Sequence, residues 1–187
     1  QGCSKLATIN LDKLTKLAEV GDYAFQYTII PTVDLSAANS VAKNGAYNFK
    51  VIGKYAFADN TALTSVKLAP GIETIDEGAF KFSSYDSNTL KTQGSLATID
   101  GLNTTVLKTI GKEAFYGAAI TGLNLRGATN TAFTTIPADA FAFNSNLKQI
   151  ELPAQISTIN AGAFAYALPL DSINLNQTNI TVLNNLF

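Results

Sequence analysis

Apolar residues fall along this chain in an order that repeats about seven times. The clearest copy is Leu147 to Phe164, with apolar side chains at Leu147, Ile150, Leu152, Ile156, Ile159, Ala163 and Phe164. Leu63 to Phe80 carries Leu63, Val66, Leu68, Ile72, Ile75, Ala79 and Phe80 in the same places. Seven phenylalanines mark the units: Phe25, Phe57, Phe80, Phe115, Phe141, Phe164 and Phe187, at spacings of 32, 23, 35, 26, 23 and 23. A base period of 23 with insertions is the signature of a stacked repeat. Alanine precedes each phenylalanine except the last, where Leu186 takes the slot, and five positions before each stands Val20, Ile52, Ile75, Ile110, Ile136, Ile159 or Val182.

Ahead of these columns comes a hexad that is apolar at its first, fourth and sixth positions. Examples are Ile30-Val33-Leu35, Leu63-Val66-Leu68, Ile120-Leu123-Leu125, Leu147-Ile150-Leu152 and Leu170-Ile173-Leu175, with Leu6-Ile9-Leu11 as the first. The unit at Leu96-Ile99 departs, with Gly101 in the third slot. Alternation over the last three positions has the period of a strand buried on one face. Strands this short are not stable singly, so the hexads are expected to pair side by side in one parallel sheet, at about 4.8 Å per rung. No unit buries enough to fold alone, and neighbours must supply the rest.

Gly21, Gly53, Asp76, Gly111 and Asn160 follow the second ladder position and are residue types that tolerate positive φ in a tight turn; Pro137 breaks the pattern. The short Gly/Ala/Phe segment after them predicts a single 3₁₀-like turn. Cys3, Asn60 and Asn144 share a slot three residues before a hexad. A recurring Asn there points inward and satisfies backbone groups at a bend. Cys3 fits the same register, which sets a structural role against that of a reactive or lipid-bearing thiol.

Composition narrows the function. Of 187 residues 47% are hydrophobic and only 14% charged, which places the chain among folded domains, and a net charge of -1 gives no electrostatic footprint for nucleic acid. The apolar runs are too short to span a bilayer. The absence of histidine removes Ser-His-Asp, Cys-His and most zinc chemistry. No cofactor is implied. With no methionine, the chain is expected to be processed or part of a longer protein.

The pattern Leu-x-x-Ile-x-Leu followed by Ile-x-x-Ile-Gly-x-x-Ala-Phe, as in Leu107-Lys108-Thr109-Ile110-Gly111-Lys112-Glu113-Ala114-Phe115, resembles the BspA-like leucine-rich repeat of bacterial surface proteins. The resemblance covers practically the whole chain, and so residues 1–187 are read as one solenoid. It implies an α/β repeat solenoid, a right-handed superhelix with a parallel β-sheet on the concave face and short strands or 3₁₀ turns elsewhere. It also implies secretion or display at a bacterial cell surface, adhesin-like binding of protein or glycan partners, and no shared catalytic residues. Insertions near 36–48 and 81–95, with smaller ones at 101–105 and 127–132, are rich in loop-forming residues.

Outward positions of the strands form the candidate binding face. They run Asn10, Asp34, Lys67, Asp100, Asn124, Glu151 and Asn174, flanked by Thr8, Thr32, Ser65, Thr98, Gly122, Gln149 and Ser172. A stiff hydrogen-bonding face of this kind holds extended partners in repeat proteins. Any solvent-facing strand must also be polar, which explains the same residues without a partner. Asp34 and Asp100 lie two rungs apart, about 10 Å, near the separation of an inverting carboxylate pair. Lys67 between them keeps both ionised, so they read as a charge ladder and not as acid and base. Ser40-Val41-Ala42-Lys43 matches Ser-x-x-Lys but stands in an insertion without its partner motifs. A stalk holding another module is the runner-up, and end-to-end self-association would follow from uncapped terminal units.

Overall fold

The computed structural model describes residues 3–187 apart from 12, 40, 84, 87–90, 93, 105, 168, 176–178 and 184. Its elements are short strands, with no helix among the described residues. Two-residue strands are β1 (Glu19–Val20), β3 (Val51–Ile52), β5 (Thr74–Ile75), β9 (Thr109–Ile110), β11 (Thr135–Ile136), β13 (Thr158–Ile159) and β15 (Val182–Leu183). Three-residue strands are β2 (Thr32–Asp34), β4 (Ser65–Lys67), β8 (Thr98–Asp100), β10 (Gly122–Asn124), β12 (Gln149–Glu151) and β14 (Ser172–Asn174). The remaining pair, β6 (Tyr85–Asp86) and β7 (Lys91–Thr92), is an antiparallel hairpin inside the second insertion.

Each unit from the second onward contributes to two parallel ladders, and the first to one. The two-residue strands pair in the orders β1-β3-β5-β9 and β11-β13-β15, the three-residue strands in the orders β2-β4-β8 and β10-β12-β14. Between them lies the core. Ile52, Phe57, Leu63, Ile75, Phe80, Leu107, Phe115, Ile136, Phe141, Leu147, Ile159 and Phe164 are all buried. Six phenylalanine rings, from Phe25 to Phe164, stack at centroid distances of 5.2, 5.3, 5.4, 5.3 and 5.8 Å.

The turn holding that ring is a third ladder. Backbone N–H groups at the ring residue and two positions to either side donate to the next unit: Tyr55 to Glu77, Phe57 to Ala79 and Asp59 to Lys81. N–H groups between them bond three residues back, as Ala56 does to Gly53 and Ala58 to Tyr55. Apart from Phe82, the residues two before and two after the ring take left-handed φ, among them Tyr23, Tyr27, Tyr55, Asp59, Gly78, Glu113, Gly117, Asp139, Phe143, Gly162 and Tyr166. A 3₁₀ helix has negative φ throughout, so the expected 3₁₀ turn is replaced by successive tight turns bonded rung to rung. Alanine before the ring is small because its slot is closed: Ala56, Ala79, Ala114, Ala140 and Ala163 are fully buried.

The glycines after the second ladder position are not the left-handed residues. Gly21, Gly53 and Gly111 have no positive φ; instead a Cβ on Gly111 would stand 2.4 Å from the Glu77 backbone nitrogen, and one on Gly53 would stand 2.7 Å from that of Asp22. Close approach of the preceding rung demands glycine at 53 and 111 but not at 21, where a Cβ would meet nothing within 4 Å. Pro137 ceases to be an exception, because its fixed negative φ suits the slot.

The expected single sheet is interrupted. From Phe57 to Leu63 and from Phe141 to Leu147 there are six positions, but from Phe25 to Ile30 and from Phe115 to Ile120 there are five. After a six-position link the first bond across rungs joins equivalent residues, Thr64 N–H to Pro31 C=O and Lys148 N–H to Thr121 C=O. After the short links it slips to Ile29 N–H on Leu6 C=O and Ala119 N–H on Leu96 C=O. The missing residue turns the hexads apart. Leu6-Ile9-Leu11 forms no strand, and β8 does not pair with β10. The turn ladder runs through the second break regardless, with Phe115 N–H on Ala140 C=O.

Two further expectations shift. In the last unit Ile159 pairs with Leu183, so the ladder position is Leu183 and not Val182. Thr181 N–H on Ser157 C=O carries the same one-residue offset, which places Ile180, packed against the core, in the slot that Ile156 fills one unit earlier. Asn144 behaves as expected, donating to Phe115 and Phe141 C=O at 2.9 Å and accepting from Ile120 N–H. Asn60 is likewise buried and donates to Thr28 Oγ1 at 2.7 Å. Cys3 keeps the register through Leu6 N–H on its carbonyl, yet is exposed.

Candidate partner-binding face

The three-residue strands bring most of the candidate residues together in register. Thr32, Ser65 and Thr98 align, as do Asp34, Lys67 and Asp100. In the second sheet Gly122, Gln149 and Ser172 align, as do Asn124, Glu151 and Asn174. Alternation does this: Val33, Val66, Leu123 and Ile150 turn into the core, so their neighbours must face out. Thr32, Asp34, Lys67, Thr98, Asp100, Gly122, Asn124, Gln149 and Ser172 are exposed, and Ser65, Glu151 and Asn174 partly so. Thr8 and Asn10 are exposed but lie in no strand, and so stand outside the ladder.

The charges on this face are weakly coupled. Lys67 Nζ approaches Asp34 Oδ2 at 3.9 Å, with both side chains more than half exposed. Asp34 is bound more closely by its own loop, accepting from Ser36 N–H at 2.8 Å and Ser36 Oγ at 2.5 Å. That hydroxyl is the main reason its carboxyl lies below the usual range; slight burial opposes it, and the Ser36 amide and Lys67 add to it. A carboxyl so held is no proton donor near neutrality. Asn124, the equivalent residue of the second sheet, accepts from Arg126 N–H at 3.0 Å in the same way.

Between the two sheets the face opens. An open cleft of about 220 Å³ lies between β8 and β10, lined by Ile99, Asp100, Leu102, Asn103, Ile120 and Gly122 among others. It is closed at one end by the Ala119–Leu96 bond and at the other where Gly127 meets Asn103, whose carbonyl oxygen would lie 2.2 Å from a Cβ there. Gly101 begins the loop beside it with φ of +95°.

Charge pairs on the rest of the surface escaped the sequence reading. Glu73 accepts from Lys50 at 2.7 Å and Lys108 at 2.6 Å, and Glu113 binds Lys81 and Lys112. Tyr55 Oη donates to Glu77 at 2.9 Å, and that bond first, with burial and the Glu77 charge, pushes its pKa up to about 12. Opposite charges exactly one period apart, Lys50 with Glu73 and Lys54 with Glu77, were the signal available. The first insertion folds back onto the solenoid: Val41 bridges Tyr47, Tyr47 covers Gly71, and Ala38 and Phe49 are buried. Ser40 of the Ser-x-x-Lys tetrad and much of the second insertion lie outside the described residues.

Six copies of the BspA type leucine rich repeat region match residues 1–102 and 93–187. The chain belongs to the BspA-type leucine-rich repeat family. A crystal structure of a leucine-rich repeat protein from Bacteroides ovatus aligns with TM-score 0.53 and 18% identity over 90% of this chain. At that identity the likeness concerns the fold, and the chain spans 43% of that protein's length. No curated protein matches. Repeat domains of this family are in general protein-interaction or structural modules. Among the described residues no helix is long and apolar enough to cross a membrane.

Proposed function

We propose that this BspA-type repeat is a non-catalytic binding module of a secreted or surface-displayed bacterial protein, and that it engages protein partners, adhesin-like, through the face of its three-residue strands. The observation that carries this reading is the register of that face. Two exposed columns of hydrogen-bonding side chains stand on ladders fixed from behind by Val33, Val66, Leu123 and Ile150. A partner meeting such columns loses only its own freedom, since the protein side is already ordered. Leucine-rich repeats use this geometry for extended partners.

A stalk is the second reading, and one observation favours it: Asp34 and Asn124 are engaged by the amides of Ser36 and Arg126, as expected of residues that shape their own loops. The test separates the two. Beads coated with the chain are challenged with a panel of immobilised extracellular-matrix and bacterial envelope proteins, beside the triple variant Asp34→Ala/Lys67→Ala/Asp100→Ala. The binding module loses adhesion in the variant with its melting transition nearly unmoved. A stalk adheres to nothing on the panel. Adhesion that survives the triple change overturns the assignment to this face, and adhesion to glycan but not protein overturns the partner class.

A further inference from the structure

We infer that the cleft between β8 and β10 is where the binding face takes hold of a partner, and that it receives an extended peptide segment bearing a basic side chain. This rests on the proposed binding role and deepens it. Leu68 N–H donates to Asp100 C=O and Thr98 N–H reaches Thr64 C=O, so the backbone groups of Thr98 and Asp100 face β4. Alternation then aims the amide and carbonyl of Ile99 away from β4, into the gap. By the same alternation Leu125 N–H on Glu151 C=O leaves the backbone of Gly122 and Asn124 facing the gap from the other side. Among the described residues these groups have no strand partner.

Open strand edges seek main-chain donors and acceptors, and an extended peptide supplies both. The side chain follows from the lining. Ile99, partly exposed with Leu102 and Ile120 buried behind it, offers a short apolar contact to an aliphatic stem in an otherwise mostly polar lining. At the rim stands Asp100, whose carboxylate has neither hydrogen bond nor ion pair among the described residues, because Lys67 approaches Asp34 instead. A long stem beneath a cationic head matches lysine or arginine. Gly122 leaves the mouth open, with nothing within 4 Å of where its Cβ would lie.

The test uses the ¹⁵N-labelled chain and three pentapeptide amides, acetyl-Ala-Thr-X-Thr-Ala, with X lysine, norleucine or glutamate. The lysine peptide is expected to move the amide resonances of Ile99, Gly122 and Asn124, with norleucine weaker and glutamate weakest. Asp100→Asn should weaken the lysine peptide about tenfold, the loss expected for one charge-assisted contact, and bring it level with norleucine. Gly122→Val adds a β-branched side chain where there is room, so it should keep the fold and block all three. No shift at those amides up to millimolar lysine peptide overturns the inference, as does equal binding of lysine and glutamate peptides. Shifts confined to 32–34 and 149–151 also overturn it, while leaving the wider binding face standing.

Discussion

Gly111 and Gly21 occupy the same slot of the repeat, yet the structure predicts opposite outcomes for alanine at the two. A Cβ on Gly111 would lie 2.4 Å from the Glu77 nitrogen and 2.5 Å from the Asp76 carbonyl carbon. Both are backbone atoms of the preceding rung, so no rotamer change relieves the overlap. The rung must move, which breaks the fit of Ile75 to Ile110 and of Gly111 N–H to Ile75 C=O. Overpacking of this kind costs about 1–3 kcal/mol, which lowers the melting temperature by about 2–12 °C for a chain of this size. Gly21 has nothing within 4 Å and no positive φ. Alanine there removes unfolded-state freedom and stabilises by about 0.4–1 kcal/mol. The assay is urea unfolding of both variants beside the parent, followed by far-ultraviolet circular dichroism. If both lose the same stability, the slot needs glycine for its conformation and not for rung contact, and the description of the turn ladder is wrong.

Three further substitutions probe other parts of the frame. Asn144→Ala strands Phe141 C=O and Ile120 N–H in the interior, while Phe115 C=O keeps the Ala118 N–H, so it should cost about 2–6 kcal/mol at roughly 1–3 per orphaned group; unfolding within 1 kcal/mol of the parent would refute the role. Phe115→Ala removes a fully buried ring stacked on both faces, and about 3–5 kcal/mol is expected, whereas Phe115→Leu should lose less than half of that. Glu73 is held below the ordinary carboxylate value of 4.5, chiefly by its bond to Lys108, then by that to Lys50, against a smaller effect of burial. A lowered folded pKa means stability fully present above 4.5 and lost as pH falls through the folded value. Glu73→Gln should therefore flatten the acid limb of stability against pH, and an unchanged limb would refute the pairing.

The frame was legible in the sequence wherever identity and spacing act together. The phenylalanine column, the Ile/Val column and the outward residues of β2, β4, β8, β10, β12 and β14 all follow from period and alternation. The interruption was harder to see, because it depends on one residue missing between Phe115 and Ile120, a length difference that leaves every residue type in place. Tyrosine at left-handed φ, as at Tyr23 and Tyr55, is invisible to propensity, which assigns such positions to glycine. It survives there through its environment: the two rings stack at 5.4 Å and Tyr55 bonds Glu77. Asp34 illustrates a third limit. Its ionised state was read correctly, but the nearer cause is the Ser36 hydroxyl two residues on, not Lys67 one rung away. The last unit was misread because both Val182 and Leu183 suit a ladder slot, and the choice is made by pairing with Ile159.

A partner of the binding module covers the side of the solenoid that carries the three-residue strands, and hydrogen–deuterium exchange of this chain with and without the first partner captured from the adhesion panel measures that. Protection is expected at 65–67, 98–100, 122–124 and 149–151, greatest at Ile99 and Gly122, whose amides have no strand partner among the described residues. Protection confined to the turn side, at 53–60 and 111–118, with the three-residue strands exchanging as before, would contradict it.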